Sequence, residues 1–324
     1  MQNNLVRWAW RAALVLMLGV AGAPARAASA PVKVVLSTDV GNEIDDQWAI
    51  VYMLTNPNFD VLGIMSAHGP TLRPPAGHTS YLILQDVVEK RLRMAQHPPL
   101  VEGASLPLVS ATQARPSAAA TFLIETSKKF TSDARLTVLA IGAVTDIATA
   151  ILTDPGIVDR IRIVDMGFKQ WPDGGEEYNV ANDVAAMQVV LASNVPLVVG
   201  SGVVCRADLS LSLQQAGELT AQVGPVGAWL WDEFQDWYYR FVKPLRKEDY
   251  SRPWVIWDII VMAHLLDMTH ATVYPRPVLR DDMMFEHPET KQTITWITET
   301  DSKQLWADFV KRLNAYQQAH MARR

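Results

Sequence analysis

An acidic loop early in the chain carries the residues best able to do chemistry. It runs from Asp39 to Asp46 and holds four carboxylates, those of Asp39, Glu43, Asp45 and Asp46. Carboxylates at this spacing repel one another. A hard divalent cation resolves the conflict, because Ca²⁺ collects about six to eight oxygen ligands and tolerates irregular geometry. Gly41 allows the loop to turn back on itself. The loop therefore predicts a calcium site.

The same loop has a second interpretation. Residues 46–54 have a helical pattern of apolar side chains, and Asp45 and Asp46 would lie at the start of that helix, where negative charge is favourable. Capping therefore remains an alternative to metal binding. Two other motifs are excluded. Gly41 stands where an Asp-x-Asp phosphatase needs its second Asp, and the ligand spacing of a helix–loop–helix calcium site is absent.

Bulk composition limits the classes of protein to which the chain can belong. Hydrophobic residues make up 49% and charged residues 19% of the 324, which indicates a substantial core. The formal net charge of −5 argues against a nucleic acid partner, which would need a basic surface. Cys205 is the single cysteine, so an intrachain disulfide is impossible. Its thiol is either core packing or a reactive group.

The first residues resemble an export signal. An apolar stretch at 12–23 follows two arginines and is too short to span a bilayer, and Ala-Arg-Ala at 25–27 offers a cleavage site. We interpret residues 1–27 as a signal peptide and 28–324 as a single domain, which predicts a periplasmic or secreted protein without a stable membrane anchor after cleavage. An uncleaved anchor is the alternative.

Strand and helix patterns alternate through about residue 200. The predicted strands are 33–37, 61–67, 136–141, 161–166 and 195–199. The predicted helices are 46–54, 77–93, 143–152 and 183–192. This order predicts an α/β fold with a mostly parallel central sheet flanked by helices on both faces, and a helix-rich C-terminal part follows. In such sheets ligands bind beyond the carboxyl ends of the strands, where the acidic loop lies.

Four segments, in order along the chain, resemble the inosine/uridine-preferring nucleoside hydrolase family. The acidic loop at 37–46 is similar to the family's opening motif, and together the segments span about 33–266. The other three are 140–148, similar to the family's Gly-Pro-Leu-Thr-Asn-Ile-Ala segment, 176–179, similar to its Ala-Glu-Phe-Asn segment, and the pair Trp257 and Asp258, similar to its C-terminal metal-ligand segment.

The resemblance implies a metal site and a general base. Asp39, Asp46 and Asp258 would bind Ca²⁺ through their carboxylates, and Ile141 would bind it through its backbone carbonyl. Asp39 would also take a proton from the water that attacks the anomeric carbon of a ribosyl group. The sugar then resembles an oxocarbenium ion, as in other glycosyl cleavages.

The resemblance also implies which residues bind the ribose. Asp45, Glu177 and Asn179 would hydrogen-bond its hydroxyls, with Asn42 assisting. Considered without the family, Glu177 and Asn179 could simply be surface residues of a loop before a helix.

The sequence leaves open which residue activates the departing base. Many relatives have His before the C-terminal metal-binding Asp; this chain has Trp257, as in a purine-specific branch that stacks the base. Trp257 could instead be a core residue. A second stacking residue would be Trp171, Trp237 or Tyr238, with Trp171 preferred because it lies in the ribose-binding loop.

Two histidines fall near the predicted site by topology. His68 and His78 are alternative proton donors, or else solvated loop residues. Gly69 and Pro70 stand where the family often has Gly-Asn, so an asparagine contact is lost there.

The resulting hypothesis is calcium-dependent hydrolysis of the N-glycosidic bond of a ribonucleoside, with a purine base expected. A hydrolase of another ribosyl or N-glycosyl conjugate and a non-catalytic periplasmic nucleoside- or ribose-binding protein are the alternatives. The family resemblance implies a homodimer or homotetramer, for which the Trp-rich stretch 229–239 could form an interface, or instead a flap over the site.

Overall fold

Strands from both ends of the chain join in one central sheet. The computed structural model describes residues 30–242 and 253–321. The strands are β1 (Val32–Thr38), β2 (Phe59–Ser66), β3 (Leu100–Val101), β4 (Leu136–Ile141), β5 (Ile161–Met166), β6 (Leu197–Gly200), β7 (Ser210–Leu211), β8 (Trp254–Val255), β9 (Thr269–Pro275), β10 (Val278–Leu279), β11 (Phe285–Glu286) and β12 (Thr293–Thr300). Eight of these strands form the central sheet, in the order β3-β2-β1-β4-β5-β6-β12-β9. Only β9 runs antiparallel to its neighbour in this sheet.

Helices cover both faces of the sheet. They are α1 (Asp45–Thr55), α2 (Ala76–Gln85), α3 (Ala118–Ser127), α4 (Thr145–Thr153), α5 (Tyr178–Asn182), α6 (Val184–Ala192), α7 (Gly202–Asp208), α8 (Leu213–Thr220), α9 (Gly224–Trp237), α10 (Ile260–Leu265) and α11 (Ser302–Met321). Side chains of β1 alternate between two cores: Val34 and Leu36 pack with α1, α9 and α11, whereas Val35 packs with α3, α4 and α6. The predicted fold class is therefore confirmed.

Two details differ from the sequence prediction. Trp257 and Asp258 precede α10, which begins at Ile260, rather than opening it. The part of the chain after about residue 200, predicted to be helix-rich, also contains the short antiparallel pair β7 and β8. In this pair Leu211 lies in register with Trp254, shortly before Trp257 in the sequence.

Two further predictions depend on the chain termini. The predicted signal peptide at 1–27 lies outside the described residues. Within the described ranges, none of the helices has the length and apolar character that a membrane crossing requires.

Register brings the predicted functional loops to one edge of the sheet. Thr38, the last residue of β1, pairs with Ser66 of β2 on one side and with Ile141 of β4 on the other. At the same edge Met166 of β5 pairs with Gly200 of β6. The segments that follow these strands therefore meet beyond their carboxyl ends, where an α/β sheet binds its ligands.

Candidate functional site

A cleft of about 260 Å³ opens at this edge of the sheet. It brings together nine residues predicted for the site: Asp39, Asn42, Asp45, Asp46, Ile141, Glu177, Asn179, Trp257 and Asp258. Its walls also include Glu43 of the acidic loop and residues that the sequence did not single out: Met166, Lys169, Glu176, Tyr178, Gly202, Val203 and Arg206. Residues from the two ends of the chain thus line one cavity.

Three carboxylates at the bottom of the cleft form the tightest acidic group in the described part of the chain. Asp45, Asp46 and Asp258 each offer an oxygen within 4.8 Å of the others, and all three residues are buried. Thr38 donates a hydrogen bond from its hydroxyl to Asp46 Oδ1. Asp45 was expected among the ribose contacts, but its carboxylate lies within this acidic group. Asp39, predicted as a ligand, lines the same cleft outside the group.

Burial makes these carboxylates hard to ionise. Desolvation, strengthened by repulsion from neighbouring acids, raises the pKa of Asp39, Asp46 and Asp258 well above the usual range. Burial also raises the pKa of Asp45, to about 6. A cation placed among the oxygens would offset both effects. The donor set is entirely oxygen, which suits a hard divalent ion, so the residues present fit a metal of this class.

Asp39 is held in a narrow space. Its Oδ2 accepts a hydrogen bond of 3.0 Å from the side-chain amide of Asn42. Gly69 and Gly142 approach the carboxylate closely. A Cβ added at Gly69 would lie 2.7 Å from Asp39 Oδ2, and one added at Gly142 would lie 2.8 Å from Asp39 Oδ1. The Asn42 amide also links Asp39 to the next loop, since Asn42 Oδ1 accepts a hydrogen bond of 3.1 Å from the backbone N–H of Thr71. The carboxylate is therefore fixed in one orientation.

The loop after β5 supplies the second wall. The Glu177 carboxylate caps α5 and accepts backbone N–H bonds from Phe168, Asn179 and Val180 at 3.0–3.2 Å. Asn179 donates from its side chain to the carbonyl oxygen of Met166 at 3.0 Å. Glu177 thus caps a helix, which the sequence did not predict for it, and the same residue also lines the cleft.

Trp257 lines the cleft and carries a cation on its ring. The guanidinium carbon of Arg206 lies 5.0 Å from the ring centroid, within reach of a cation–π interaction. Cys205 donates a 3.6 Å hydrogen bond from its thiol to the Trp257 carbonyl oxygen. Cys205 is fully buried, and burial raises its thiol pKa well above the usual range, so packing is the correct interpretation of this cysteine.

Trp171, predicted to stack on a substrate, does not line the cleft. Its ring stacks on Tyr274 at 4.5 Å, outside the cleft. The reason is backbone pairing: the Gly175 N–H donates to the Met283 carbonyl oxygen at 2.8 Å, which pulls the loop toward β11. Trp237 and Tyr238 also lie outside the cleft. Trp237 stacks on Phe241, and Tyr238 is buried in the core around α9.

The two predicted histidines also point elsewhere. His68 is 5% exposed, and its Nε2 lies 2.9 Å from the hydroxyl of Thr145, which donates to Asp183 at 2.6 Å. These contacts hold the His68 ring away from the residues that line the cleft. His78 lies 2.9 Å from Glu102 on the surface. Neither imidazole reaches the cleft.

The residues that sequence reasoning missed are two isolated cations and one aromatic residue. Lys169 and Arg206 are exposed and line the cleft mouth. Tyr178 donates from its hydroxyl to Asn42 Oδ1 at 3.4 Å. No spacing rule identifies such isolated residues. The only available signal was their position near Glu177 and within a helix that follows β6.

Comparisons with known proteins agree with this geometry. Residues 34–315 match the family model described as inosine-uridine preferring nucleoside hydrolase. No curated protein sequence matches the chain significantly. A plant nucleoside hydrolase superposes with a TM-score of 0.69 at 17% identity, covering 88% of this chain and 99% of its own.

Two further solved structures share the fold. The purine-preferring ribonucleoside hydrolase from Gardnerella vaginalis gives a TM-score of 0.65 at 20% identity, covering 89% of this chain and 99% of its own. The type III effector protein XopQ, complexed with adenosine diphosphate ribose, gives 0.64 at 14% identity, with coverages of 90% and 95%. At these identities the likeness shows a common fold.

Proposed function

Because the chain belongs to the inosine-uridine preferring nucleoside hydrolase family, we propose that it is a calcium-dependent, exported enzyme that releases a purine base and ribose from ribonucleosides. Membership of the family makes it a hydrolase of N-glycosyl bonds. The observation that carries the finer proposal is the buried group of Asp45, Asp46 and Asp258 beside Asp39 in one cleft.

Four residues would hold the cation. Asp46, Asp258 and Asp39 would offer carboxylate oxygens, and Ile141 its backbone carbonyl, since all four line the bottom of the cleft. Asp45, which lies against Asp46 and Asp258, would add charge to the same group. Ca²⁺, when bound, would lower the pKa of a water molecule and hold two vicinal ribose hydroxyls.

Asp39 would act as the general base. It takes one proton from water, whose oxygen forms the new bond to the anomeric carbon while the bond to the base nitrogen breaks. The Asn42 amide holds Asp39 in position. The sugar becomes positively charged as the bond breaks, and the surrounding carboxylates stabilise that charge in a site with little water. Glu177 and Asn179 would orient the ribose from the opposite wall.

Trp257 would assist departure of the base. The bonding electron pair and one proton leave with the base nitrogen, so a ring stacked on a purine could ease protonation from solvent. Trp257 lines the cleft next to the metal-ligand residue Asp258, which favours this role over a purely structural one.

The direct test uses the purified protein with inosine, adenosine, guanosine and uridine, with Ca²⁺ or with a chelator. We expect base release that is fastest for a purine nucleoside and abolished by the chelator. Asp39→Ala should lower turnover by about 10²–10⁴-fold, whereas Asp173→Ala, an exposed acid outside the cleft, should not. Full activity of Asp39→Ala would remove Asp39 as the base.

The same experiment distinguishes the alternatives. Tight binding of a nucleoside without release of any base would indicate a ribosyl-binding protein. Absence of both binding and turnover would favour the alternative that the substrate is another ribosyl conjugate. The buried Asp39, held by Asn42 and two glycines, favours catalysis, because capture alone does not need an oriented base.

A further inference from the structure

The cleft has a positive mouth above an acidic floor. Lys169 and Arg206 both line it and both are exposed. Within residues 30–242 and 253–321, neither side chain forms an ion pair. A neutral nucleoside would leave both cations without an anion to balance their charge. We infer that the substrate carries a phosphate ester on its 5′ oxygen, so that the site takes ribonucleoside 5′-phosphates.

The two cations are placed on one wall by the backbone. The N–H of Val203 donates to the carbonyl oxygen of Lys169 at 3.0 Å, which joins the start of α7 to the loop after β5. Val203 and Arg206 are three residues apart on α7 and therefore share a face of this helix. The stem of Lys169 packs near Gly175, where an added Cβ would lie 3.1 Å from Lys169 Cδ.

The side chain of Arg206 is preorganised to bind an anion. Its guanidinium lies over the Trp257 ring, with the central carbon 5.0 Å from the centroid. Stacking restricts the rotamers of a long side chain and leaves the edge of the guanidinium free to form paired hydrogen bonds with phosphate oxygens. Glu176 also lines the mouth, which leaves one positive charge in excess among these three residues.

The chemistry of the ribose determines which oxygen is available. This step rests on the proposed function: the anomeric carbon faces Asp39, and the metal holds the two vicinal hydroxyls. The 5′ oxygen is the one hydroxyl position left to carry a substituent. Lys169 lies in the loop that leads to Glu177 and Asn179, the residues proposed to orient the ribose from that wall.

The reaction keeps the same balance as for a nucleoside. Water oxygen bonds to the anomeric carbon, the bond to the base nitrogen breaks, Asp39 takes one water proton, and the base departs with the electron pair and a proton. The products are ribose 5-phosphate and the free base. The phosphate ester stays intact and serves only for binding.

The test compares inosine with inosine 5′-monophosphate in the calcium-loaded protein. We expect kcat/KM to be about ten- to hundredfold higher for the phosphate. Lys169→Gln and Arg206→Gln should each reduce that preference by about tenfold, and Arg206→Lys, which keeps the charge without the planar fork, should reduce it in part. Glu176→Gln should increase it. Lys129→Gln, a cation outside the cleft, is the matched control and should not change it.

Binding separates this inference from the proposed function. Ribose 5-phosphate and ribose are compared by their effect on the thermal unfolding of the same variants. If inosine is hydrolysed, the phosphate is not preferred and ribose 5-phosphate binds no better than ribose, the inference fails and the proposed function stands. If neither compound is hydrolysed but ribose 5-phosphate binds tightly through Lys169 and Arg206, the phosphate site stands and the proposed catalysis fails.

Discussion

The carboxylates of Asp45 and Asp258 offer oxygen atoms within 4.8 Å of each other, although the two residues lie in the first and last thirds of the chain. Two buried carboxylates this close repel each other, and either a proton or a cation relieves that repulsion. Protons and a divalent cation therefore compete for the same oxygen atoms at the bottom of the cleft. This competition links metal binding, pH and stability.

The first prediction is a pH dependence of stability that Ca²⁺ removes. Burial raises the pKa of Asp45 to about 6, above its usual value near 3.8. Protonation of Asp45 therefore stabilises the metal-free folded protein most below about pH 4. This stabilisation is lost as the pH rises through about 6. The loss is at most about 1.4 kcal/mol per pH unit for one group.

Thermal unfolding between pH 4 and 8, with a chelator or with Ca²⁺, measures this effect. The difference between the two curves should widen with pH, because the cation replaces the proton. Asp45→Asn should flatten the chelator curve. Parallel curves with and without Ca²⁺ would show that the carboxylates do not bind the ion.

The sequence predicted the fold and the floor of the cleft, but not its periphery. Asp39 and Asp46 could be placed because they follow a buried strand of a parallel sheet, whose carboxyl edge is where ligands bind. Asp258 could be placed only through the family resemblance, since no local pattern links it to the acidic loop. The sequence could therefore place the side chains whose positions follow from strand order or from the order of the family's motifs along the chain.

Trp171 and His68 were misplaced for a physical reason. Both follow strands that end at the correct edge, but side-chain direction depends on tertiary contacts. The Trp171 ring turns toward Tyr274 because its loop pairs with Met283, and His68 turns toward Thr145 and Asp183. Pairings between residues so far apart in the sequence are not encoded in any window around either residue.

The second prediction concerns His68. His68→Phe removes one of the two hydrogen-bond partners of the buried Thr145 hydroxyl, which still donates to Asp183. Burial lowers the His68 pKa, so the neutral imidazole is the form that is lost. We expect the free energy of unfolding to fall by about 1–3 kcal/mol. The pH profile of kcat should keep its shape. His78→Phe, on the surface beside Glu102, is the control and should change stability by less than about 0.5 kcal/mol. If the pH profile of kcat lost one limb in His68→Phe, His68 would be a proton donor in the reaction.

The third prediction tests Trp257 as the leaving-group residue. A p-nitrophenyl riboside has a leaving group that needs no proton, whereas inosine requires activation of its base. Trp257→Ala should therefore lower kcat for inosine by about tenfold more than for the p-nitrophenyl compound. Trp171→Phe, which lies outside the cleft, should leave the ratio of the two rates unchanged. Equal losses on both substrates would assign Trp257 to packing.

The fourth prediction concerns the space around Asp39. In Gly69→Ala the new Cβ would lie 2.7 Å from Asp39 Oδ2 and 2.5 Å from Asn42 Cγ, so the base and its hydrogen-bond partner must both shift. A displacement of the catalytic group by a fraction of an ångström up to 1 Å should lower kcat by up to about 10²-fold.

The matched control is Gly156→Ala, where the nearest atom to the new Cβ is 3.4 Å away and belongs to the flexible Arg160 side chain. Steady-state kinetics on a purine nucleoside and thermal unfolding should be measured on both variants. We expect Gly69→Ala to lose turnover while remaining folded, since the atoms nearest to its added methyl belong to the side chains of Asn42 and Asp39 and not to the backbone, and Gly156→Ala to match the parent. Turnover of Gly69→Ala within twofold of the parent would show that Asp39 tolerates movement, and such tolerance is incompatible with an oriented general base.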